Sequence, residues 1–267
     1  MSDRLGNQRH TQKEIRATEK RCIYCSTVGP LTVEHMPPLV MFKGRQRPRG
    51  LEFGVCQPCN NGTRGADLAA TFVSKLDIIA DQGSWQLEEN MRQHAILKKR
   101  APGFLEELFS MPNMRSVLWR TPGGIMLPRW QIQANGPHVR AHLNVFVAKF
   151  AMCLFREHIG TPLPLDGLVR TAWFLNAGLT QPQVHAAISI LPGVGGLRQG
   201  SKTSDGQFTY VYNTDTRSIV MAFASFHKGL HALVLASSDP QFFEIEFPHA
   251  TTNVMRPGQL LTALGSP

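Results

Sequence analysis

The sequence predicts an α+β protein in two parts. A small cysteine-held finger lies near the N-terminus, and an antiparallel sheet packed on one long helix follows a helical connection. Three observations carry this. Two Cys-x-x-Cys pairs, Cys22/Cys25 and Cys56/Cys59, have 30 residues between them. His138–His158 shows a broad apolar helical face, and β-prone runs dominate from Pro182 onward. At 267 residues and 42% hydrophobic content, the chain can fill one large domain or two small ones. The expected divisions are a basic tail over residues 1–20, the finger over 21–76, a helical and hairpin connection over 77–136, and an α+β domain over 137–267.

The charge is lopsided. The net charge is +9, and residues 1–150 carry all of it, with 21 Lys/Arg against 12 Asp/Glu. The remaining residues are balanced, 7 against 7. A localised basic field attracts polyanions, of which nucleic acid is the usual one. No apolar run reaches the roughly 18 residues of a membrane span, so no membrane partner is expected. The first residues lack the apolar stretch of a secretory signal, and the expected compartment is the cytoplasm.

In that setting paired cysteines are expected to hold metal, not disulfides. Each Cys-x-x-Cys turn offers two thiolates, and two turns complete the tetrahedral Cys₄ shell of a structural zinc ion. Redox use would want one such pair beside a βαβ unit. Cys153 sits on an apolar helical face and reads as a small buried hydrophobe. The insert between the pairs exceeds the roughly 15–20 residues of a plain zinc ribbon, so something further is built there.

Within the insert, Leu31-Thr32-Val33 is β-prone and runs into Glu34-His35, and Pro37-Pro38 ends it. A second extended stretch is expected near Leu51–Val55. After the second pair come Asn60-Asn61-Gly62 and a helical pattern through Ala66, Leu68, Ala69, Phe72, Val73 and Leu76. Asn61 suits a helix cap, and Asp67 suits the first turns of that helix electrostatically. Lys43, Arg45, Arg47 and Arg49 alternate, and an extended loop would align them as a row gripping phosphates, with Arg64 beside it.

Cys22, Cys25, Glu34, His35, Pro37, Cys56, Cys59, Asn60, Gly62 or Gly65, and Asp67 together resemble the HNH endonuclease family, over about residues 20–75. The resemblance implies a ββα-metal, treble-clef-like finger. It implies that Glu34 and Asn60 hold one catalytic Mg²⁺ or Mn²⁺ ion, and that His35 takes a proton from the attacking water. Their chemistry agrees: a carboxylate and an amide oxygen suit a hard divalent ion, and imidazole titrates nearest neutral pH. DNA is favoured over RNA, and the products implied are a 5′-phosphate and a 3′-hydroxyl. In a regular strand Glu34 and His35 point to opposite faces, so both reach one phosphate only if the backbone turns there. The sequence departs from the family at the middle asparagine that orients the histidine. Glu52 is the nearest polar replacement, Gln46 is further off, and a backbone carbonyl is the other option. A second reading therefore stands beside the first: a zinc-finger nucleic-acid-binding or adaptor protein with weak or no catalysis.

Beyond the finger, residues 76–111 read as helical in two pieces broken at Pro102-Gly103, and Lys98-Lys99-Arg100 suits a helix C-terminus. A hairpin is expected over 116–134. The long helix should end at Gly160. Strands are expected at Val184–Leu191, Phe208–Tyr212, Ser218–Phe226, Leu230–Ala236 and Phe242–Phe247, with turns at 213–216 and 228–229. This domain is left to recognise substrate, form a homo-oligomer or meet a regulatory partner.

Overall fold

The computed structural model describes residues 12–76, 85–120, 123–175, 197–247 and 250–265. The chain enters through helix α1 (Gln12–Thr18). Buried Ile15 anchors its end, and so does Glu19, whose carboxylate accepts from Arg156 Nε at 2.9 Å. The first Cys-x-x-Cys turn follows. Strands β1 (Leu31–His35) and β2 (Glu52–Cys56) then pair antiparallel, with His35 opposite Glu52 and Glu34 opposite Phe53.

The second Cys-x-x-Cys turn opens α2 (Gln57–Gly62), whose start is set by Pro58, and α3 (Arg64–Ser74) continues after Thr63. Asn60 and Asn61 therefore lie inside α2 and cap nothing, because the helix begins at the cysteine turn itself. Helix α3 is buried nearly all round, which its Ala- and Gly-rich sequence allows. A Cβ at Gly65 would collide with the carbonyl of Arg100, the last residue of α4 (Trp85–Arg100). Only glycine lets these two helices approach so closely.

Helix α5 (Phe104–Leu108) and the hairpin β3 (Met114–Arg120) and β4 (Met126–Ile132) lead to the long helix α6 (Pro137–Ile159). Glu107 caps α6 by accepting from the backbone N–H groups of His138 and Val139 (3.1 and 2.8 Å). Gly160 ends it with φ 89°, a conformation that suits glycine. Among the described residues the C-terminal sheet has six strands. They are β5 (Leu168–Leu175), β6 (Arg198–Gln199), β7 (Phe208–Thr214), β8 (Ile219–Phe226), β9 (Leu230–Ser237) and β10 (Asn253–Met255). Their order is β10-β5-β9-β8-β7-β6, and every pair is antiparallel.

Helix α6 covers one face of this sheet through an aromatic cluster in which Phe146 and Phe150 meet Phe226 edge-on, each at 5.2 Å. Its other side packs on α3. The buried apolar residues accordingly run as one core from Cys22 in the finger to Leu260 in α7 (Leu260–Ala263). No helix among the described residues is long and apolar enough to cross a membrane.

Two expectations need correction here. Phe242–Phe247 is not a strand. Asp239 accepts from Gln241 N at 3.0 Å and starts a 3-10 turn at Pro240, and the segment folds over the second face of the sheet. Phe247 is buried there against Leu168, Phe223 and Leu235. The loop of alternating basic residues is not extended either: Lys43–Arg45 is a 3-10 turn, with φ near 60° at both Gly44 and Arg45. The strand expected at Val184–Leu191 lies outside the described residues.

Candidate active site and metal centre

The four finger cysteines converge as their spacing predicts. Their Sγ atoms all lie within 4.8 Å of one another, and Cys25 and Cys56 are 3.6 Å apart. Tetrahedral zinc with Zn–S bonds of about 2.3 Å sets sulfur–sulfur edges of about 3.8 Å, so the cluster fits a zinc ion. Thiols alone sit uneasily in this place. The Cys59 thiol pulls Cys22 down to about 5, whereas burial pushes Cys56 up to about 11. Four sulfurs this close together, three of them on buried cysteines, cannot all ionise without a cation among them.

On the other side of the hairpin, a cleft of about 290 Å³ is lined by Glu34, His35, Asn60, Arg45, Arg64 and Asp67, among others. His35 is the last residue of β1, and the strand stops there, so the two neighbours of opposite pleat both face the cleft. Asn60 commits its amide N–H groups to Thr32 Oγ1 (2.8 Å) and the Val33 carbonyl (3.4 Å). That leaves its oxygen as the atom available to a ligand. Glu34 is only 4% exposed, and its Oε2 has no hydrogen-bond partner among the described residues. An orphaned carboxylate oxygen and an amide oxygen on residues lining one cleft suit a hard divalent ion.

The sequence reading missed the residue that dominates this site. Lys149 of α6 is 0% exposed. Its ammonium donates to both oxygens of Asp67 (2.6 and 2.7 Å), lies 3.5 Å from Glu34 Oε1, and sits 5.6 Å from the centre of the Tyr24 ring. Burial pushes Glu34 up to about 7 against the pull of Lys149. Burial also raises Asp67. The two carboxylates together outweigh burial at Lys149 and hold it above the ordinary lysine range. One ammonium thus serves two acids, and Asp67 holds the larger share. The signal was present in the sequence, because Lys149 is the lone charge in the run Val145–Phe155.

Arg47 also departs from expectation. Its side chain is buried and ion-paired with buried Glu52, which in turn accepts from Gly50 N at 2.9 Å. Arg47 Nη2 lies 3.3 Å from His35 Nδ1. It therefore belongs to no exposed phosphate-gripping row. Glu52 reaches His35 only through Arg47, so the polar residue expected to orient the imidazole does not touch it directly. Guanidinium only donates, so Nδ1 accepts, and the neutral ring carries its proton on Nε2. Lys43, Arg45, Arg49 and Arg64 are exposed, and of these Arg45 and Arg64 line the cleft. Lys43 is placed by its backbone N–H, which donates to Gln207 Oε1 at 2.8 Å.

No family model, curated protein or solved structure matches this chain. The geometry of the two clusters therefore carries the functional argument.

Proposed function

We propose that the protein is a metal-dependent nuclease of the HNH kind, hydrolysing phosphodiester bonds in DNA. One observation carries the reading. Glu34, His35 and Asn60 come from the end of a strand and from the helix after it, and they line one cleft rimmed by Arg45 and Arg64. Glu34 Oε2 and the Asn60 oxygen would hold Mg²⁺ or Mn²⁺, which supplies charge stabilisation at the scissile phosphate. Arg45 and Arg64 seat the backbone by its phosphates.

His35 takes the proton of the attacking water at Nδ1 once the Arg47 contact opens. At 3.3 Å that contact is long for a hydrogen bond, and such contacts rearrange when substrate binds. Water oxygen bonds to phosphorus, the P–O3′ bond breaks, and the 3′ oxygen is protonated from solvent. Before substrate arrives, the Glu52–Arg47 pair holds the imidazole at the cleft through the Nδ1 contact.

A second reading is favoured by the same two contacts. With Lys149 beside Glu34 and Arg47 on Nδ1, the finger would bind nucleic acid without cutting it. The test incubates wild type and His35→Ala with supercoiled plasmid and Mg²⁺ or Mn²⁺, with zinc content measured in parallel. Nicking by wild type alone, at equal zinc content, supports the nuclease. Equal binding by both proteins with no cutting selects the binding protein.

A further inference from the structure

The hairpin β3–β4 stands apart from the two cores. It is tied to the body at its base, where Gln133 N donates to the Asn113 carbonyl at 2.7 Å and Ile132 packs on the core. Two-stranded hairpins are marginal in water unless a face is covered. This one leaves apolar residues in solvent on the face that cross-strand pairing assigns to Leu118, Met126, Pro128 and Trp130. Leu118 is 70% exposed, Met126 50% and Trp130 61%.

The opposite face carries Arg115, paired with Gln131, and Arg120 stands at the far end of the apolar face, paired with Met126. Residues 114–132 contain no acid at all. Such a surface repels basic partners, and a second copy meeting it would set arginine against arginine beside the apolar residues. It complements a polyanion that also has apolar surface, which describes nucleic acid. Seven residues per strand at about 3.4 Å each make a ribbon about 24 Å long. A two-stranded ribbon of that kind fits the roughly 12 Å wide major groove of B-DNA.

We propose that the β3–β4 hairpin is a second DNA contact, a ribbon laid in the major groove. Leu118, Met126 and Trp130 meet base edges and thymine methyls there, and Arg115 and Arg120 reach the flanking phosphates. The inference rests on the nucleic-acid reading above and is separate from the chemistry at His35.

The test measures fluorescence anisotropy on a labelled 20-base-pair duplex across a salt series, using the full-length zinc-loaded protein. The variants are R115Q/R120Q, L118S/W130S and, for comparison, R45Q/R64Q. Because Arg115, Leu118, Arg120 and Trp130 are exposed, zinc content and circular dichroism should match wild type. The arginine variant is expected to bind roughly 10- to 100-fold more weakly, with a log–log salt slope shallower by about 2, at about 0.9 per phosphate contact. The L118S/W130S variant is expected to bind about tenfold more weakly at an unchanged slope.

If both hairpin variants bind as wild type while R45Q/R64Q binds more weakly, the hairpin proposal falls and the finger reading survives. If hairpin variants change only the oligomeric state by light scattering, the surface belongs to a second copy and the proposal falls. Tighter binding of single strands than of duplex overturns the groove geometry. If wild type fails to bind duplex at low salt, both the hairpin and the nucleic-acid reading fall. Binding without cleavage overturns the nuclease reading alone.

Discussion

The finger buries ionisable groups at two places and neutralises them in opposite ways. Around Cys22, Cys25, Cys56 and Cys59, four potential anions converge in a geometry that suits a metal ion, which would supply the balancing charge. Around Glu34 and Asp67 the cation is covalently part of the fold, carried on α6 by Lys149. The first cluster makes the finger depend on solution chemistry. The second makes it depend on the rest of the chain. A small finger has too little core to hold a site rigid by packing alone, and this one draws on both remedies.

The comparison can be broken at either end, and the largest effect is expected at the cysteines. Structural zinc binds with about 10–16 kcal/mol, so Cys56→Ser, or stripping the metal with a strong chelator, should unfold the β1–β2–α3 unit. Zinc stoichiometry and far-ultraviolet circular dichroism would register this. A Cys56→Ser protein that keeps one zinc and its full spectrum would refute the Cys₄ assignment.

Next comes the lysine. Lys149→Met leaves Asp67 and Glu34 buried without their cation, which should cost about 3–5 kcal/mol in denaturant unfolding while zinc stays bound. Adding Asp67→Asn to that variant removes one stranded charge and should restore part of the loss. No recovery in the double variant would mean that Lys149 acts by packing, not charge.

A smaller effect is expected in the sheet region, where His158 stacks on Tyr212 at 3.8 Å between the ring centres. Burial, with Lys202 and Arg198 nearby, pulls its pKa down to about 4. Its folded pKa lies below the ordinary value of about 6.5, so the unfolded chain takes up the proton first as pH falls. Stability should therefore drop between about pH 6.5 and pH 4, by up to about 3 kcal/mol before screening in this partly open site. His158→Phe should flatten that part of the pH profile, and an unchanged slope would sink the assignment.

The two clusters also differ in how legible they were. The cysteine site followed from two local turns whose spacing states their chemistry. The ends of α6 and the strands β7, β8 and β9 followed likewise from apolar periodicity and a terminal glycine. Lys149 and Asp67 are 82 residues apart, and no local pattern joins them. Only the isolated charge inside an apolar helix hinted that a partner was buried with it. Arg47 was misread for a related reason. Alternation implies a common face only in extended chain, and the left-handed backbone at Gly44 and Arg45 breaks that premise. Strands β5 and β10 pair across 82 residues, Thr171 opposite Asn253, and β10 is too short to carry a periodic signal of its own. Phe242–Phe247 has strand composition, but its apolar side chains are used to cover a sheet instead of extending it.

The turn between β8 and β9 bears on how this finger could be moved between proteins. His227 Nε2 lies 2.7 Å from the Met41 carbonyl, and Gly229 N donates to the Ser74 carbonyl at 3.0 Å. A Cβ at Gly229 would overlap the carbonyl of Val73. The last turn of the finger helix is thus finished by atoms that arrive about 155 residues later in the chain. Grafted alone onto another scaffold, residues 21–76 would carry their metal ligands with them and leave behind both the seal on that helix and Lys149. A chimera that transplants the finger needs the β8–β9 turn and helix α6 as part of the same cassette.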